Sequence, residues 1–317
     1  MSLKLQYFVY DVFTTTAFQG NPLAVVRVPA TASIAQTHKQ TIAREFNFSE
    51  TTFVHEDSES QAQSVFRTDI FTPYRELPFA GHPTIGTSFH LLSNRPNISD
   101  ITLQIKAGDT PAVRSGYEGS VRLQVPVDFK VHAPLEVDQL LAHQTRLARD
   151  DLKDGHLTPI ASIVKGMTFF LLELNSVDAL GRMNAYPVGA VSVPSTHLGA
   201  WTPDSDNVRT NVYVYAYTHL EEKNNDQSTT RIRTRMFSRG GFEDPGTGSA
   251  ASTLAGYLAL KKGKGQWRFQ ITQGVEMRRT CDIAVVVEIG DGDVVKSVQL
   301  EGNAVKVMEG VVQVTDL

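Results

Sequence analysis

The sequence predicts an α+β fold of two related halves, rich in short strands, with a glycine-rich helix entrance in each half. Three observations predict it. Short runs rich in Val, Ile, Phe and Tyr recur along all 317 residues, bounded by Gly, Pro, Asn or Asp. One helical segment is small or apolar nearly all round, which is typical of a helix wrapped by protein on every side. A glycine-rich motif that opens a helix occurs twice.

The predicted strands are spread along the whole chain. They are Tyr7–Phe13, Leu23–Val28, Val65–Phe71, Ile101–Ile105, Val121–Val125, Phe169–Leu174, Val212–Tyr217 and Ile283–Ile289. The polar stretch Glu221–Thr230 has few apolar residues and predicts an exposed hairpin loop. A composition break near Pro126–Pro134 indicates either a domain boundary or a proline-bounded turn.

Helical periodicity appears in three segments, Ser33–Phe46, Thr84–Leu92 and Thr247–Leu260. The first has its apolar residues on one face. The last reads TGSAASTLAGYLAL, with almost no polar face. A helix of this kind is expected to be covered by protein on all sides. A sheet that curves around the helix would provide this cover.

The repeated motif reads GHPTIGTS at Gly81–Ser88 and EDPGTGSA at Glu243–Ala250. Each copy follows a strand that ends in Phe, at Phe71 and Phe237. Proline suits the first helical turn, because its missing N–H would be unpaired there, and glycine allows a close approach of the backbone. The repeat predicts two related halves, each with one glycine-rich helix entrance.

Composition excludes several function classes. The net charge of −4 produces no positive field that would attract nucleic acid or an anionic membrane surface. The single cysteine, Cys281, excludes an internal disulfide and a cysteine zinc cluster. We expect a cytoplasmic protein, because no apolar run reaches about 20 residues and the N-terminus lacks a signal-peptide plan. No metal or nucleotide motif occurs, so we expect neither metal nor cofactor.

The two helix entrances suggest a site for a small anion. Unpaired N–H groups and a partial positive charge at a helix N-terminus favour a carboxylate ligand. His82 and Asp244 each precede the motif proline and could act as an acid/base pair. The alternative is that Asp244 only caps its helix and His82 packs in a loop. Glu50, in NFSETTFV, would by itself be a surface carboxylate more often than not.

Four ordered stretches together resemble a known family. They are DVFT with FQGNPLAVV at Asp11–Thr14 and Phe18–Val26, NFSETTFV at Asn47–Val54, FTPYRELPFAGHPTIG at Phe71–Gly86, and FEDPGTGSAAS at Phe242–Ser252. This combination is similar to the PhzF-like isomerases of phenazine biosynthesis, whose fold is shared with diaminopimelate epimerase.

The resemblance implies two pseudo-symmetric halves, each a curved, mostly antiparallel sheet around a central helix, with the active site in the cleft between them. We place the halves at residues 1–127, joined by the C-terminal segment 303–317, and at residues 128–302. In the related epimerases a cysteine stands at each helix entrance. Here Gly81, His82 and Asp244 occupy those regions, which excludes a two-thiol epimerase. The resemblance also implies a homodimer.

The function implied by the resemblance is a cofactor-independent isomerase of the dihydro-hydroxyanthranilate type, which shifts a proton on a small carboxylated metabolite. The glutamate of the SET motif, Glu50, would move the proton. The matching catalytic residues are Glu50, His82, Asp244 and Ser249, and the expected substrate-binding residues are Asn21, Gly81, Gly246, Thr247 and Gly248. Two alternatives are a racemase or epimerase that uses Asp244 and His82, and a metabolite-binding member without catalysis.

Two departures from the family pattern stand out. Gly246 replaces the usual alanine of the EDPATGSA-type motif. The family pattern QG-x-x-M-G-R-P-S is QGVEMRRTC here, so that Arg278 replaces a glycine and Thr280 with Cys281 replaces Pro-Ser. Because this region is expected to line the substrate pocket, the change argues against the phenazine precursor as substrate more than against the fold.

Overall fold

The computed structural model describes residues 3–56, 64–115, 119–153, 157–201, 207–209, 211–224, 227–238 and 240–314. The chain divides into two compact units. Unit 1 comprises Met1–Val125 and Leu300–Leu317, and unit 2 comprises Pro126–Gln299.

The elements follow one another along the chain. The first ten are β1 Leu3–Val12, β2 Asn21–Val28, α1 Gln36–Phe46, β3 Glu50–His55, β4 Val65–Phe71, β5 Glu76–Leu77, α2 Gly81–Ser93, β6 Asp100–Ile105, β7 Gly108–Arg114 and β8 Val121–Gln124. The next nine are β9 Lys130–Glu136, α3 Asp138–Leu141, β10 Leu157–Ser162, β11 Thr168–Glu173, α4 Val177–Gly181, β12 Ser192–Pro194, α5 Ser195–Leu198, β13 Asn207–Arg209 and β14 Asn211–Asn224. The last seven are β15 Gln227–Phe237, β16 Glu243–Asp244, α6 Gly248–Lys262, β17 Gly265–Gln273, β18 Cys281–Ile289, β19 Val295–Gly302 and β20 Ala304–Val314.

In unit 1 the strands form a mixed sheet around α2. Strand β1 pairs antiparallel with both β2 and β20, and the return of the chain in β20 is why the C-terminal segment belongs to this unit. Helix α2 packs against β1, β2, β3, β6, β8 and β20. Eleven of its thirteen residues are buried, so α2 is the central helix of the unit. Helix α1 packs on β3 and β4 through Ile42 and Ala43.

In unit 2 the central helix is α6, as the sequence predicts. It packs against β10, β11, β17 and β18, and eleven of its fifteen residues are buried. Gly256 lets α6 pack closely against Phe129, since a Cβ at this position would stand 2.5 Å from the Phe129 ring. A second apolar cluster, which includes Phe170, Leu180 and Phe237, packs α4 against the sheet.

The two units repeat one topology. In unit 1 the pairs are β1–β2 antiparallel, β2–β3 parallel, β3–β4 and β4–β5 antiparallel, β4–β6 parallel and β6–β7 antiparallel. In unit 2 the pairs β10–β11, β11–β14, β14–β15, β15–β16, β15–β17 and β17–β18 follow in the same order with the same directions. This repetition confirms the predicted α+β fold of two related halves.

Two local predictions are wrong. Pro83 does lie in the first turn of α2, but Pro245 stands three residues before α6 begins at Gly248, so it does not occupy a helical turn. The predicted loop Glu221–Thr230 is largely strand, because the register of β14 and β15 continues through Glu222 and Thr229. Only residues 225–226 lie between these strands, and they are outside the described ranges.

Candidate active site

Glu50 is the first residue of β3 and stands where the chain turns back from α1. Asn47 ends that helix in the left-handed region, with φ 52°, and strand β3 then runs parallel to β2 with Glu50 opposite Leu23. The side chain of Glu50 is only 16% exposed. It is therefore not the surface carboxylate that a single glutamate would ordinarily be.

His82 meets Glu50 at the entrance of α2. It is the second residue of the helix, and its Nδ1 lies 3.1 Å from Oε2 of Glu50. The imidazole is 3% exposed, and its other nitrogen, Nε2, is buried without a hydrogen-bond partner in the described part of the chain. A buried polar atom of this kind ordinarily has a hydrogen-bond partner, which makes Nε2 an exception among buried groups.

The packing of α2 on the sheet sets this contact. The hydroxyls of Thr52 on β3 and Thr87 on α2 lie 2.9 Å apart. A Cβ at Gly86 would stand 2.5 Å from Leu23 and 2.7 Å from Val12, so the glycine allows the helix to approach β1 and β2. The close approach predicted for this glycine is thus an approach to the sheet.

The pair has a defined proton arrangement when Glu50 is ionised. A carboxylate only accepts, so Nδ1 of His82 carries the hydrogen and donates it to Oε2. In the neutral tautomer that carries this hydrogen, Nε2 is an acceptor. The N–H groups of Gly81 and His82, in the first turn of α2, have no intrahelical partner and lie at the positive end of the helix.

Asn21 lies beside Glu50 in unit 1. It is the first residue of β2, is 1% exposed, and its Oδ1 accepts a hydrogen bond from the Ser49 hydroxyl at 3.3 Å. The structure thus brings Asn21, Ser49, Glu50 and His82 into one region of unit 1, and Gly81 is the first residue of its helix.

Asp244 stands in the equivalent segment of unit 2, at the end of β16. It is 6% exposed, and its Oδ2 accepts a short hydrogen bond from the Thr247 hydroxyl. Residue 247 is itself the N-cap of α6, and no side-chain capping hydrogen bond is present there. The N-cap position therefore belongs to Thr247, and the alternative in which His82 packs in a loop is wrong, because His82 lies within α2.

The other predicted residues of unit 2 surround this segment. Gly246 lies in the loop between β16 and α6, Gly248 begins the helix, and Ser249 follows it, buried, with its carbonyl accepting from Thr253 at 2.8 Å. The predicted residues thus form two groups, one in each unit. Direct side-chain contacts join Glu50 with His82 and Asp244 with Thr247.

A buried ion pair holds the strand that carries Asp244. Arg235 on β15 donates from Nε and Nη2 to the two carboxylate oxygens of Glu243, at 2.8 and 2.7 Å. Its Nη1 donates to the carbonyl of Leu180, near the end of α4, and to the carbonyl of Met183, which follows the helix. Such a fork fixes both partners in one geometry. The short strand β16 is therefore anchored directly before Asp244.

Sequence reasoning missed Gln273 on β17, which contacts the Asp244 segment, and Tyr213 on β14, whose hydroxyl donates to Gln273. Gln273 is fully buried and forms hydrogen bonds to Asp244, Thr247 and Tyr213. Burial raises the pKa of Tyr213 far above its ordinary value, so its hydroxyl stays protonated. The available signal was the QG dipeptide of the family pattern, but spacing along the chain does not show what a glutamine contacts.

Arg278 replaces the family glycine at a position that favours glycine. Its φ is 57°, in the left-handed region, and its side chain is exposed. Cys281, the other departure, is fully buried, with its Sγ 3.5 Å from the carbonyl of Arg279. Within the described ranges, no three His, Cys, Asp or Glu side chains are grouped to hold a metal, and no helix is long and apolar enough to span a membrane.

The chain matches known proteins over nearly its whole length. The sequence profile of phenazine biosynthesis-like proteins (PhzC-PhzF) matches residues 10–310. An uncharacterized isomerase of Pasteurella multocida is 34% identical over 285 residues, which cover 89% of this chain and 86% of that protein. The trans-2,3-dihydro-3-hydroxyanthranilate isomerase of Pseudomonas aeruginosa is 31% identical over 312 residues, which cover 96% of this chain and 98% of that protein.

Structural comparison identifies the same fold. The crystal structure of a phenazine biosynthesis protein of the PhzF family from Bacillus anthracis superposes with a TM-score of 0.76 at 24% identity, covering 98% of this chain and 99% of that one. The full-length relatives are named isomerases. The chain is therefore an isomerase, and it belongs to the phenazine biosynthesis-like family.

Proposed function

We propose that the chain is a cofactor-independent isomerase that shifts a proton on a small carboxylated metabolite, with Glu50 as the proton shuttle. The observation that carries the proposal is the contact between Glu50 and His82, in which one imidazole nitrogen faces the carboxylate and the other is buried without a partner in the described chain. A partly shielded carboxylate with a histidine beside it is suited to proton transfer.

The proposed reaction moves one proton and one double bond. Glu50 removes a proton from a carbon next to a conjugated or carbonyl system, and the electrons of that C–H bond enter the conjugated system. Glu50 then returns the proton to a different carbon, where a new C–H bond forms. No proton is gained or lost overall, and neither oxidant nor reductant is needed.

His82 would hold Glu50 and contact the substrate at the same time. The hydrogen bond from its Nδ1–H to Oε2 would orient the carboxylate of Glu50. Nε2 would accept a hydrogen bond from a hydroxyl or amino group of the substrate. The first-turn N–H groups of α2 would stabilise the negative charge that develops as the proton leaves. One preorganised donor of this type typically contributes ~3–4 kcal/mol to transition-state stability.

We also propose catalytic roles for Asp244 and Ser249, as the family resemblance implies. The Thr247 hydroxyl and the Arg235–Glu243 pair hold the Asp244 segment in one geometry, which is what a group that contacts substrate requires. We assign substrate contacts to Asn21, Gly81, Gly246 and Gly248. A carboxylate is the proposed anionic group of the substrate, because the two helix entrances favour anions.

Deuterium exchange followed by NMR tests the proposal. The protein is incubated in deuterated water with a panel of cyclic and unsaturated carboxylic acids, including the trans-2,3-dihydro-3-hydroxyanthranilate named for the Pseudomonas relatives. We expect the wild type to incorporate deuterium into one compound and Glu50→Gln to bind it without incorporation. The control is Glu45→Gln, an exposed glutamate on α1, which should exchange like the wild type.

The other outcomes separate the alternatives. Deuterium that appears only at a stereocentre, with inversion, would identify a racemase or epimerase that uses Asp244 and His82. Binding without exchange by the wild type would identify a metabolite-binding protein. We also propose a homodimer, by resemblance to the family, and sedimentation equilibrium of the full chain would show a mass of twice 34.9 kDa.

A further inference from the structure

Gln273 is a buried glutamine whose amide contacts the Asp244 segment at several atoms. It ends β17 and is fully buried. Its Nε2 donates to the carbonyl oxygen of Asp244 at 2.7 Å and to Oγ1 of Thr247 at 3.1 Å. Its Oε1 accepts from the backbone N–H of Thr247 at 3.2 Å and from the Tyr213 hydroxyl at 3.1 Å. The partners distinguish the two ends of the amide, because a carbonyl only accepts and an N–H only donates.

These contacts determine where the Thr247 hydroxyl donates. A threonine hydroxyl has a single hydrogen, and its oxygen already accepts from Gln273. The hydrogen is therefore directed to Oδ2 of Asp244. The hydroxyl and the backbone N–H of Thr247 are thus engaged by the protein, although the family resemblance implies a substrate contact for this residue.

The backbone after Gln273 is adapted to the same contact. Gly274 has φ 77°, and a Cβ there would stand 2.6 Å from the carbonyl oxygen of Pro245 and 2.5 Å from that of Arg279. Only glycine lets the end of β17 lie this close to the motif. Gln273 and Gly274 are therefore packed directly against the glycine-rich motif that precedes α6.

We propose that Gln273 is a positioning residue for Asp244 and acts through Thr247. The amide orients the Thr247 hydroxyl, and the hydroxyl holds one carboxylate oxygen, which fixes the orientation of the Asp244 carboxylate. This inference rests on the proposed function to the extent that Asp244 contacts the substrate. It reassigns Thr247 from substrate binding to the support of Asp244.

Isosteric variants test the relay through kcat, KM and melting temperature, with the acid of the exchange panel that the wild type converts, beginning with trans-2,3-dihydro-3-hydroxyanthranilate. Thr247→Val removes the hydroxyl, and Gln273→Glu replaces the donating amide nitrogen by an acceptor. We expect each to lower kcat by about 10- to 100-fold with KM within about threefold, because binding groups remain and orientation is lost. Thr247→Ser keeps the hydroxyl and should restore kcat to within about threefold of the wild type.

A second buried glutamine provides the matched control. Gln144 donates from Nε2 to the carbonyl of Asn184 at 2.8 Å and accepts at Oε1 from the N–H of Asn184 at 2.9 Å, and it is 2% exposed. Gln144→Glu should lower the melting temperature about as much as Gln273→Glu does, but leave kcat unchanged. A purely structural role for Gln273 would make the two variants alike in kcat.

The outcomes separate this inference from the proposed function. Asp244→Asn with low kcat, together with Thr247→Val or Gln273→Glu at wild-type kcat, would overturn the relay and leave the role of Asp244 intact. A wild-type kcat in Asp244→Asn would overturn both the relay and the role of Asp244, and it would leave Glu50 as the proposed proton shuttle. Thr247→Ser as slow as Thr247→Val would also overturn the relay, since the hydroxyl would then have no specific effect.

Discussion

Nδ1 of His82 lies 3.1 Å from Oε2 of Glu50, although His82 is in the first turn of a helix and Glu50 is the first residue of a strand. The contact depends on α2 packing into the sheet of unit 1, where Thr52 meets Thr87 and Gly86 meets Leu23. It gives a carboxylate a fixed partner, and the second imidazole nitrogen is buried without a hydrogen-bond partner in the described chain. The central proposal depends on this geometry.

Removal of the imidazole nitrogens should reduce turnover more than stability. His82→Phe keeps a planar ring but loses both the donor to Glu50 and the buried Nε2. We expect kcat to fall by about 100-fold, in the range typical of a general acid or base. The melting temperature should change little, because a buried nitrogen without a partner is removed as well. The control is His143→Phe, at an exposed position, which should leave kcat unchanged.

A methyl group at Gly86 should separate α2 from the sheet. The new Cβ would stand 2.5 Å from Leu23 and 2.7 Å from Val12, both fully buried. We expect Gly86→Ala to lower the free energy of unfolding by about 1–3 kcal/mol, as overpacking of a core does, and urea unfolding measures it. Gly181→Ala is the control, since its nearest neighbour is 3.9 Å away. Unchanged stability of Gly86→Ala would contradict the described packing.

Restoring the family glycine at position 278 should stabilise the protein. Arg278 has φ 57°, which costs an L-residue about 1–2 kcal/mol. The greater freedom of glycine in the unfolded chain offsets part of this gain. We expect Arg278→Gly to raise the free energy of unfolding by about 0.5–1 kcal/mol in thermal or urea unfolding. Arg278→Ala removes the same charge but keeps a Cβ, and an equal gain there would show that strain is not the cause.

Asp69 should make the protein acid-sensitive. Burial alone would raise the pKa of this carboxyl, but hydrogen bonds from His55 and Lys39 outweigh it and lower the pKa to about 2. Its charged form is therefore favoured in the folded state. The stabilisation is present above the ordinary pKa of an aspartate and is lost as pH falls through the folded value.

The loss should be about 1 kcal/mol by pH 3 and about 2 kcal/mol by pH 2, relative to pH 6. Urea unfolding across this range should show the loss in the wild type and not in Asp69→Asn. At pH 7 that variant should be less stable, because Lys39 is buried and would have lost its charged partner. Glu309→Gln removes an exposed pairing with Lys306 and should keep the wild-type pH dependence. Equal pH dependence in Asp69→Asn would assign the acid sensitivity to other groups.

Most of the long elements could be predicted from the sequence. Val65–Phe71 is strand β4 with the predicted bounds, because its alternating pattern is half buried and its ends are marked by polar residues. The enclosed helix α6 was predictable because its lack of a polar face has only one physical solution. The duplicated motif likewise predicts the repeated topology. Two-residue strands such as β5 and β16 were not predictable, since they carry no periodicity of their own.

For the candidate site, the sequence predicts which residues take part but not how their side chains are arranged. Family motifs point to Glu50, His82 and Asp244, but the distances between side chains depend on tertiary packing. Pro245 looked equivalent to Pro83, yet α6 starts three residues after it, because Gln273 and Thr247 hold the preceding loop in an extended form. Gln273 is contributed by a strand that follows α6, and local sequence patterns do not report such contacts.

The fate of one labelled proton tests the shuttle most directly. The substrate identified by exchange is deuterated at the carbon that loses its proton and converted in ordinary water, and the first product molecules are analysed by mass spectrometry and NMR. If Glu50 carries the proton, part of the product will contain the deuterium at its new carbon, and Glu50→Gln will form no product. Product formation by Glu50→Gln at the wild-type rate would contradict the assignment of Glu50 as the proton shuttle.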